Sequence, residues 1–134
     1  MLSPLTNKKR RQVRRDLHLK PEIYVRVWTA RTVGQRTKGL IGVSSLDSNC
    51  GFLFKNCRWI HTYGMRFPID VVFLDSNGRV IGEERSLQPW RIRAFWRRIP
   101  SMLELPVGSI VSLGITQGDY VRFELVSEPQ DIAG

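Results

Sequence analysis

One stretch limits the folds open to this chain more than any other. Residues 69–75, I-D-V-V-F-L-D, put Ile69, Val71 and Phe73 on one side of an extended strand and Val72 and Leu74 on the other, because successive side chains of a strand leave opposite faces. Both sides are apolar, so the strand needs cover above and below and belongs inside a sheet. The triplet S-N-G follows, and then R-V-I-G-E-E-R-S over residues 79–86. A short turn containing Asn-Gly between two extended runs predicts a β-hairpin.

Further strands are expected around this hairpin. Glu22 to Thr29 alternates, with Ile23, Val25 and Val27 opposed to Tyr24, Arg26 and Trp28. Gly51–Phe54, Arg58–Thr62, Met102–Leu105 and Asp119–Val126 are short extended candidates, and Val107–Leu113 suits one or two helical turns. Residues 32–42 hold three glycines and little periodicity, which predicts a loop. Pro89 and Pro100 bracket W-R-I-R-A-F-W-R-R-I. Since proline brings no N–H to a sheet ladder, this stretch is expected to be an exposed connection rather than a strand. Six to eight short strands in 134 residues predict an all-β single domain with minor helix, a β-sandwich or a partly open barrel. The expected division is a leader at 1–21, the β domain at 22–127 and a polar tail at 128–134.

The charge is uneven. The chain carries 21 Lys plus Arg against 12 Asp plus Glu, a formal charge of +9. Residues 1–20 hold Lys8, Lys9, Arg10, Arg11, Arg14, Arg15 and Lys20 against Asp16 alone, and a second cluster is Arg91, Arg93, Arg97 and Arg98. The remainder is nearly neutral, so the phosphate-attracting charge belongs to a leader and one loop rather than to a whole face. Crowded cations oppose a stable fold, and the leader is read as disordered, with contact to nucleic acid or anionic lipid as the alternative. No apolar run is long enough for a membrane helix, and no signal-peptide pattern opens the chain, which leads to the expectation of a soluble, cytoplasmic, unprocessed protein.

Several segments together are similar to the domain-of-unknown-function family 192. They are R-T-K-G-L-I at 36–41, G-F-L-F at 51–54, H-T-Y-G-M-R-F-P-I-D-V-V-F-L-D at 61–75, L-E-L-P-V-G at 103–108 and G-D-Y-V at 118–121. They keep the family's order across residues 24–124. The resemblance implies a compact β domain with a jelly-roll-like arrangement of strands, and no reaction. The leader, the Arg97–Arg98 pair and Ile41, where the family usually has methionine, lie outside its pattern.

The residues offer few routes to chemistry. A metal site needs at least three converging ligands, and His18, His61, Cys50 and Cys57 supply all the nitrogen and thiolate donors there are, without a C-x-x-C pair. No metal and no cofactor are expected, and the cysteines are read as buried thiols, with a disulfide as the alternative. A cleft near Arg36, His61 and Asp70, with Tyr63, Met65, Arg66 and Glu104 in neighbouring motif positions, suits a small anionic or sugar-like ligand. In such a cleft the guanidinium would fork onto the ligand and a carboxylate would orient it. General acid-base catalysis by His61 with a carboxylate is a further alternative, and so is a purely structural role, in which Asp70 pairs with Arg66 or Arg36 to satisfy polar groups at a sheet end and His61 caps the turn. By period two, the Glu104 side chain leaves the face occupied by Leu103 and Leu105, as a solvated group or as a second carboxylate of the cleft. The remaining feature is Trp90 to Arg98. Its aromatics are either folded into the core or exposed, in which case Trp90, Arg91, Arg93, Trp96, Arg97 and Arg98, together with the leader cations Lys8, Lys9, Arg10, Arg11, Arg14 and Arg15, suit nucleic acid, a protein partner or lipid.

The leading expectation is therefore an uncharacterised small-ligand-binding or accessory domain. A nucleic-acid-associated module is its first rival and an enzyme its second.

Overall fold

The computed structural model describes residues 6–17, 22–29 and 50–125. Helix α1 (Asn7–Asp16) precedes β1 (Ile23–Thr29), β2 (Cys50–His61), β3 (Ile69–Leu74), β4 (Val80–Leu87), β5 (Ile92–Pro106), the single turn α2 (Ser109–Ser112) and β6 (Val121–Leu125). The six strands form one mixed sheet in the order β4-β3-β5-β2-β1-β6. Neighbours are antiparallel from β4 to β2, while β1 runs parallel to both β2 and β6. The all-β expectation is met as a single open sheet, whose two edges touch at one corner through an antiparallel bridge between Arg79 and Tyr120.

The hairpin forms where its sequence places it. The Asp75 carboxylate Oδ1 accepts the amides of Asn77 at 2.8 Å and Arg79 at 3.0 Å, and Gly78 takes the positive φ of 83° that closes the turn. Strand β3 is an interior strand with apolar residues on both faces, as its sequence requires. Around it the sheet carries two apolar clusters. Trp28, Phe52, Phe54, Ile69, Val71 and Met102 belong to one, and Val25, Val27, Leu53, Val72, Leu74, Leu103 and Leu105 to the other. Each fully buried aliphatic side chain contributes roughly 1.5–3 kcal/mol, so cover on both faces is what holds the central strands.

Two expectations need correction. Gly51–Phe54 and Arg58–Thr62 are not separate strands, because β2 runs through both with an irregularity between Cys57 and Trp59. The Pro89–Pro100 stretch is largely exposed, as expected, but it is a strand rather than a connection, because β5 extends over 15 residues from Ile92 to Pro106. The proline is tolerated because β3 pairs with β5 only from Ser101 onward, so Pro100 ends the part of β5 that, among the described residues, has β2 as its sole neighbour. Opposite it, Asn56 bends β2 with a φ of 55°.

The leader contains α1. Its apolar residues Val13 and Leu17 are exposed, so this narrow stripe does not bury itself in the core. No described helix is long and apolar enough to cross a membrane. Cys50 and Cys57 are both buried and are not joined in a disulfide.

Candidate functional site

Among the described residues, the expected cleft side chains meet different surroundings. Asp70 is buried, and backbone amides occupy its carboxylate: Oδ1 accepts Ser86 N at 2.9 Å, and Oδ2 accepts Gly108 N at 3.1 Å and Ile110 N at 3.0 Å. It ties β3 to the end of β4 and to the start of α2, the sheet-end role expected as the alternative, with amides in place of arginines. His61 lies elsewhere. It pairs with Ile92 at the start of β5, whereas Asp70 pairs with Leu105 near its end. Met65 is buried in the first apolar cluster, and Arg66 is exposed. Arg36 lies outside the described residues, as do the side chains of Arg14 and Arg15. A cleft of about 630 Å³ is lined by Leu53, Lys55, Asp75, Asn77, Ser101 and Phe123 among others, and by none of the expected cleft residues.

Glu104 leaves the face of Leu103 and Leu105 as period two demands, but it is not solvated. It is fully buried opposite Phe52 and Val71, and this burial pushes its carboxyl up to about 8 from the ordinary 4.5. Among the described residues, its Oε2 and the indole Nε1 of Trp28, which lies on the same register row beyond Phe52, meet no hydrogen-bond partner. Among the described residues no group of three or more His, Cys, Asp or Glu side chains is arranged to hold a metal ion.

What the structure does assemble is a row of aromatic rings, exposed at Trp59, Tyr63 and Trp90 and half-buried at His61. On β2 the buried Ile60 faces the core, so Trp59 and His61 emerge on the opposite side, and Tyr63 follows two residues later. The Trp59 and His61 rings are stacked with centroids 5.4 Å apart. His61 to Tyr63 is 5.6 Å and Tyr63 to Trp90 is 6.0 Å, each pair tilted by little more than 30°. These spacings fall within the range of favourable ring contacts. His61 and Tyr63 came from one expected site and Trp90 from its rival; the fold joins them in one ladder. The expectation that the aromatics of Trp90–Arg98 fold into the core fails for both tryptophans, since Trp90 is 65% and Trp96 84% exposed. Phe95 alone of the three packs on the core, edge-on to Phe73.

Two residues that build this surface escaped the sequence reading, Trp59 and Thr62. Thr62 is completely buried and acts as the clasp of the ladder. Its amide donates to Arg91 O at 2.8 Å, its carbonyl accepts Trp90 N at 3.0 Å, and its Oγ1 donates to Gln88 O at 2.6 Å and accepts Arg91 N at 2.9 Å. These bonds hold Trp90 at a φ of +63°, a left-handed backbone that costs a bulky residue about 1–3 kcal/mol. The alternation W-I-H-T-Y was the available signal, since it sets Trp59, His61 and Tyr63 two residues apart.

Cations gather on the bulge of β5 beyond Trp59. Between Trp59, which pairs with Ala94, and Cys57, which pairs with Ile99, β5 uses more residues than β2, so Phe95–Arg98 bulges outward. The bulge is tied back by Arg58 Nη2 donating to Trp96 O at 3.3 Å and by Arg98 Nη1 donating to Asn56 O at 2.9 Å. The Arg97 guanidinium lies 5.0 Å from the centroid of the Trp96 ring. Arg93 pairs with Glu84 at 2.9 Å.

Fold and surface together define a β domain built on one open six-stranded sheet that displays an aromatic ladder with a cationic border. The chain belongs to DUF192, the domain-of-unknown-function family 192, described as an uncharacterized ACR, whose profile matches residues 17–123. It is similar to a UPF0127 protein of Thermococcus sibiricus, 30% identical over 112 residues that cover 77% of this chain and 72% of the relative. A UPF0127 protein of Thermococcus gammatolerans is 29% identical over 114 residues, which cover 78% of this chain and 74% of that protein. Among solved structures, a protein of Sinorhizobium meliloti 1021 described as a proposed transcription regulator aligns with a TM-score of 0.65 and 24% identity, over 70% of this chain and 78% of its own. A protein of unknown function from Novosphingobium aromaticivorans aligns with a TM-score of 0.60 and 21% identity, over 75% of this chain and 72% of its own. At these identities the likeness concerns the fold.

Proposed function

We propose that this protein is a binding module whose recognition surface is the ladder Trp59, His61, Tyr63 and Trp90, and whose ligand presents flat rings of the nucleobase kind. The observation that carries this reading is Trp90. An indole left mostly in water, on a backbone conformation that costs free energy and is maintained by a buried clasp, is poor design for stability alone. Such strain is understandable where a ring must be displayed in one orientation before its partner arrives. Trp59 and Trp90 end the ladder, so each keeps one face without a ladder neighbour, and a flat ring seated there would extend the row.

The reading keeps the small-ligand class expected from the sequence and takes its residues from both expected sites. It leaves Asp70 and Glu104 out, because the first is engaged by amides and the second is enclosed by apolar neighbours. Titration with adenosine, followed by the indole N–H resonances in NMR spectra, tests it. Saturable shifts at Trp59 and Trp90, lost in Trp59→Ala and Trp90→Ala, are expected. Unmoved indole resonances at millimolar adenosine would overturn the reading.

A further inference from the structure

The border of the ladder specifies its ligand further. Residues 55–66 and 88–98 build this end of the β2–β5 pair, and they contain Lys55, Arg58, Arg66, Arg91, Arg93, Arg97 and Arg98 without one Asp or Glu. Among the described residues no carboxylate pairs with Arg58, Arg66, Arg91, Arg97 or Arg98, while Arg93 is held by Glu84. Five exposed arginines on the same two segments that carry the exposed rings call for a ligand that alternates negative charge with flat faces.

We infer, resting on the reading above, that the ladder's ligand is single-stranded nucleic acid, with bases stacked on Trp59, Trp90 and the open face of Trp96 and phosphates against Arg58, Arg91, Arg97 and Arg98. A neutral sugar chain would use the rings but not the cations, and sugar sites rely on carboxylate acceptors, which this border lacks. A duplex would use the cations but not the rings, since its bases are already stacked on one another. Single strands use both, through stacking that tolerates any base and through phosphate contacts that release counterions. The Arg97 guanidinium already lies against the Trp96 ring, so a base stacked on the opposite face finds a cation within reach of its phosphate.

The test is fluorescence anisotropy of the full chain with a labelled twelve-nucleotide oligodeoxyadenylate, across a salt series, beside its duplex with oligothymidylate. The expected result is tighter binding of the single strand than of the duplex. Its affinity should fall with salt at a log-log slope of about −0.7 for each phosphate engaged. Each of Trp59→Ala and Trp90→Ala should weaken it about tenfold, and the double variant Arg58→Gln, Arg91→Gln should flatten the slope by about 1.4. All four positions are exposed, and circular dichroism is the check that each variant folds. Adenosine binding without salt-dependent oligonucleotide binding would overturn this inference and leave the proposed function standing. Equal affinity for duplex, unchanged by the tryptophan variants, would also overturn it, and binding of neither adenosine nor oligonucleotide would overturn both.

Discussion

The carbonyl of Thr62 accepts the amide of Trp90 at 3.0 Å, so a residue with no exposed surface determines how one of the most exposed aromatic rings is presented. Thr62→Val keeps the shape of the side chain but removes the hydroxyl. It deprives Gln88 O of its donor and leaves Arg91 N without an acceptor, at a cost of about 2–4 kcal/mol. Urea denaturation will measure this, and the loss should be accompanied by a changed ring-current shift on Tyr63 as Trp90 leaves the ladder.

Trp90 itself should show stability and display pulling in opposite directions. Glycine accepts a φ of +63° without a Cβ penalty, whereas alanine keeps that penalty, so Trp90→Gly is expected to be about 1 kcal/mol more stable than Trp90→Ala. Both variants should lose adenosine binding. Denaturation midpoints of the two, measured side by side, check the first statement independently of the second.

Glu104 makes stability depend on pH in an unusual direction. Its carboxyl keeps its proton up to about pH 8 in the folded chain and releases it near 4.5 once unfolded. Between those limits the folded state binds more protons, so the contribution is fully present below pH 4.5 and is lost as pH rises through 8. The loss is bounded by about 5 kcal/mol. Glu104→Gln cannot ionise, so it should be much less sensitive than the wild type between pH 5 and pH 8.5, and the more stable protein at the upper end. Parallel pH profiles from urea denaturation would contradict the assignment.

Asp70→Asn should cost about 2–4 kcal/mol, because one amide oxygen cannot replace two carboxylate oxygens that together accept three backbone amides. Ligand binding at the ladder should weaken as well, since Asp70 holds Ser86 N only two residues before the Gln88 carbonyl that Thr62 clasps. A calorimetric melt with an NMR titration of the same sample measures both.

Gly51→Ala should be damaging for steric reasons alone. An added Cβ would lie 2.7 Å from Glu104 O, 2.8 Å from Leu105 Cδ2 and 2.9 Å from Leu103 Cδ1. The backbone oxygen cannot swing aside as a side chain does, so a loss of about 1–3 kcal/mol is expected in chemical denaturation.

The elements with a clean period and a turn signal were readable from the residues. The hairpin of β3 and β4, the interior position of β3 and the helical turn after Val107 all follow from patterns a few residues long. The length of β5 was not readable, because Pro100 forbids a strand only where its missing N–H would be needed, and that depends on where β3 stops pairing. Glu104 was misread for a related reason: period two gives the face correctly but says nothing of what covers it. A hint lay in G-F-L-F, where Phe52 and Phe54 alternate with Leu53, since a strand beside two-faced neighbours is itself covered on both sides. The ladder was half legible. Trp59, His61 and Tyr63 share a face by spacing alone, whereas the approach of Trp90 depends on hydrogen bonds from Thr62 to residues far along the chain.

An unclosed sheet leaves β4 and β6 with unpaired backbone along their outer rims, which invites one molecule to add itself to the next. Here the rims are guarded. β4 carries the Glu83–Arg85 pair at 2.8 Å and a kink at Ser86, where φ is 53°, and β6 is only five residues long, with exposed Arg122 and Glu124. A second copy approaching edge to edge would have to strip water from those charges and straighten that kink. Addition of one copy to another along either rim is thus opposed, while the aromatic rings stay open to a partner.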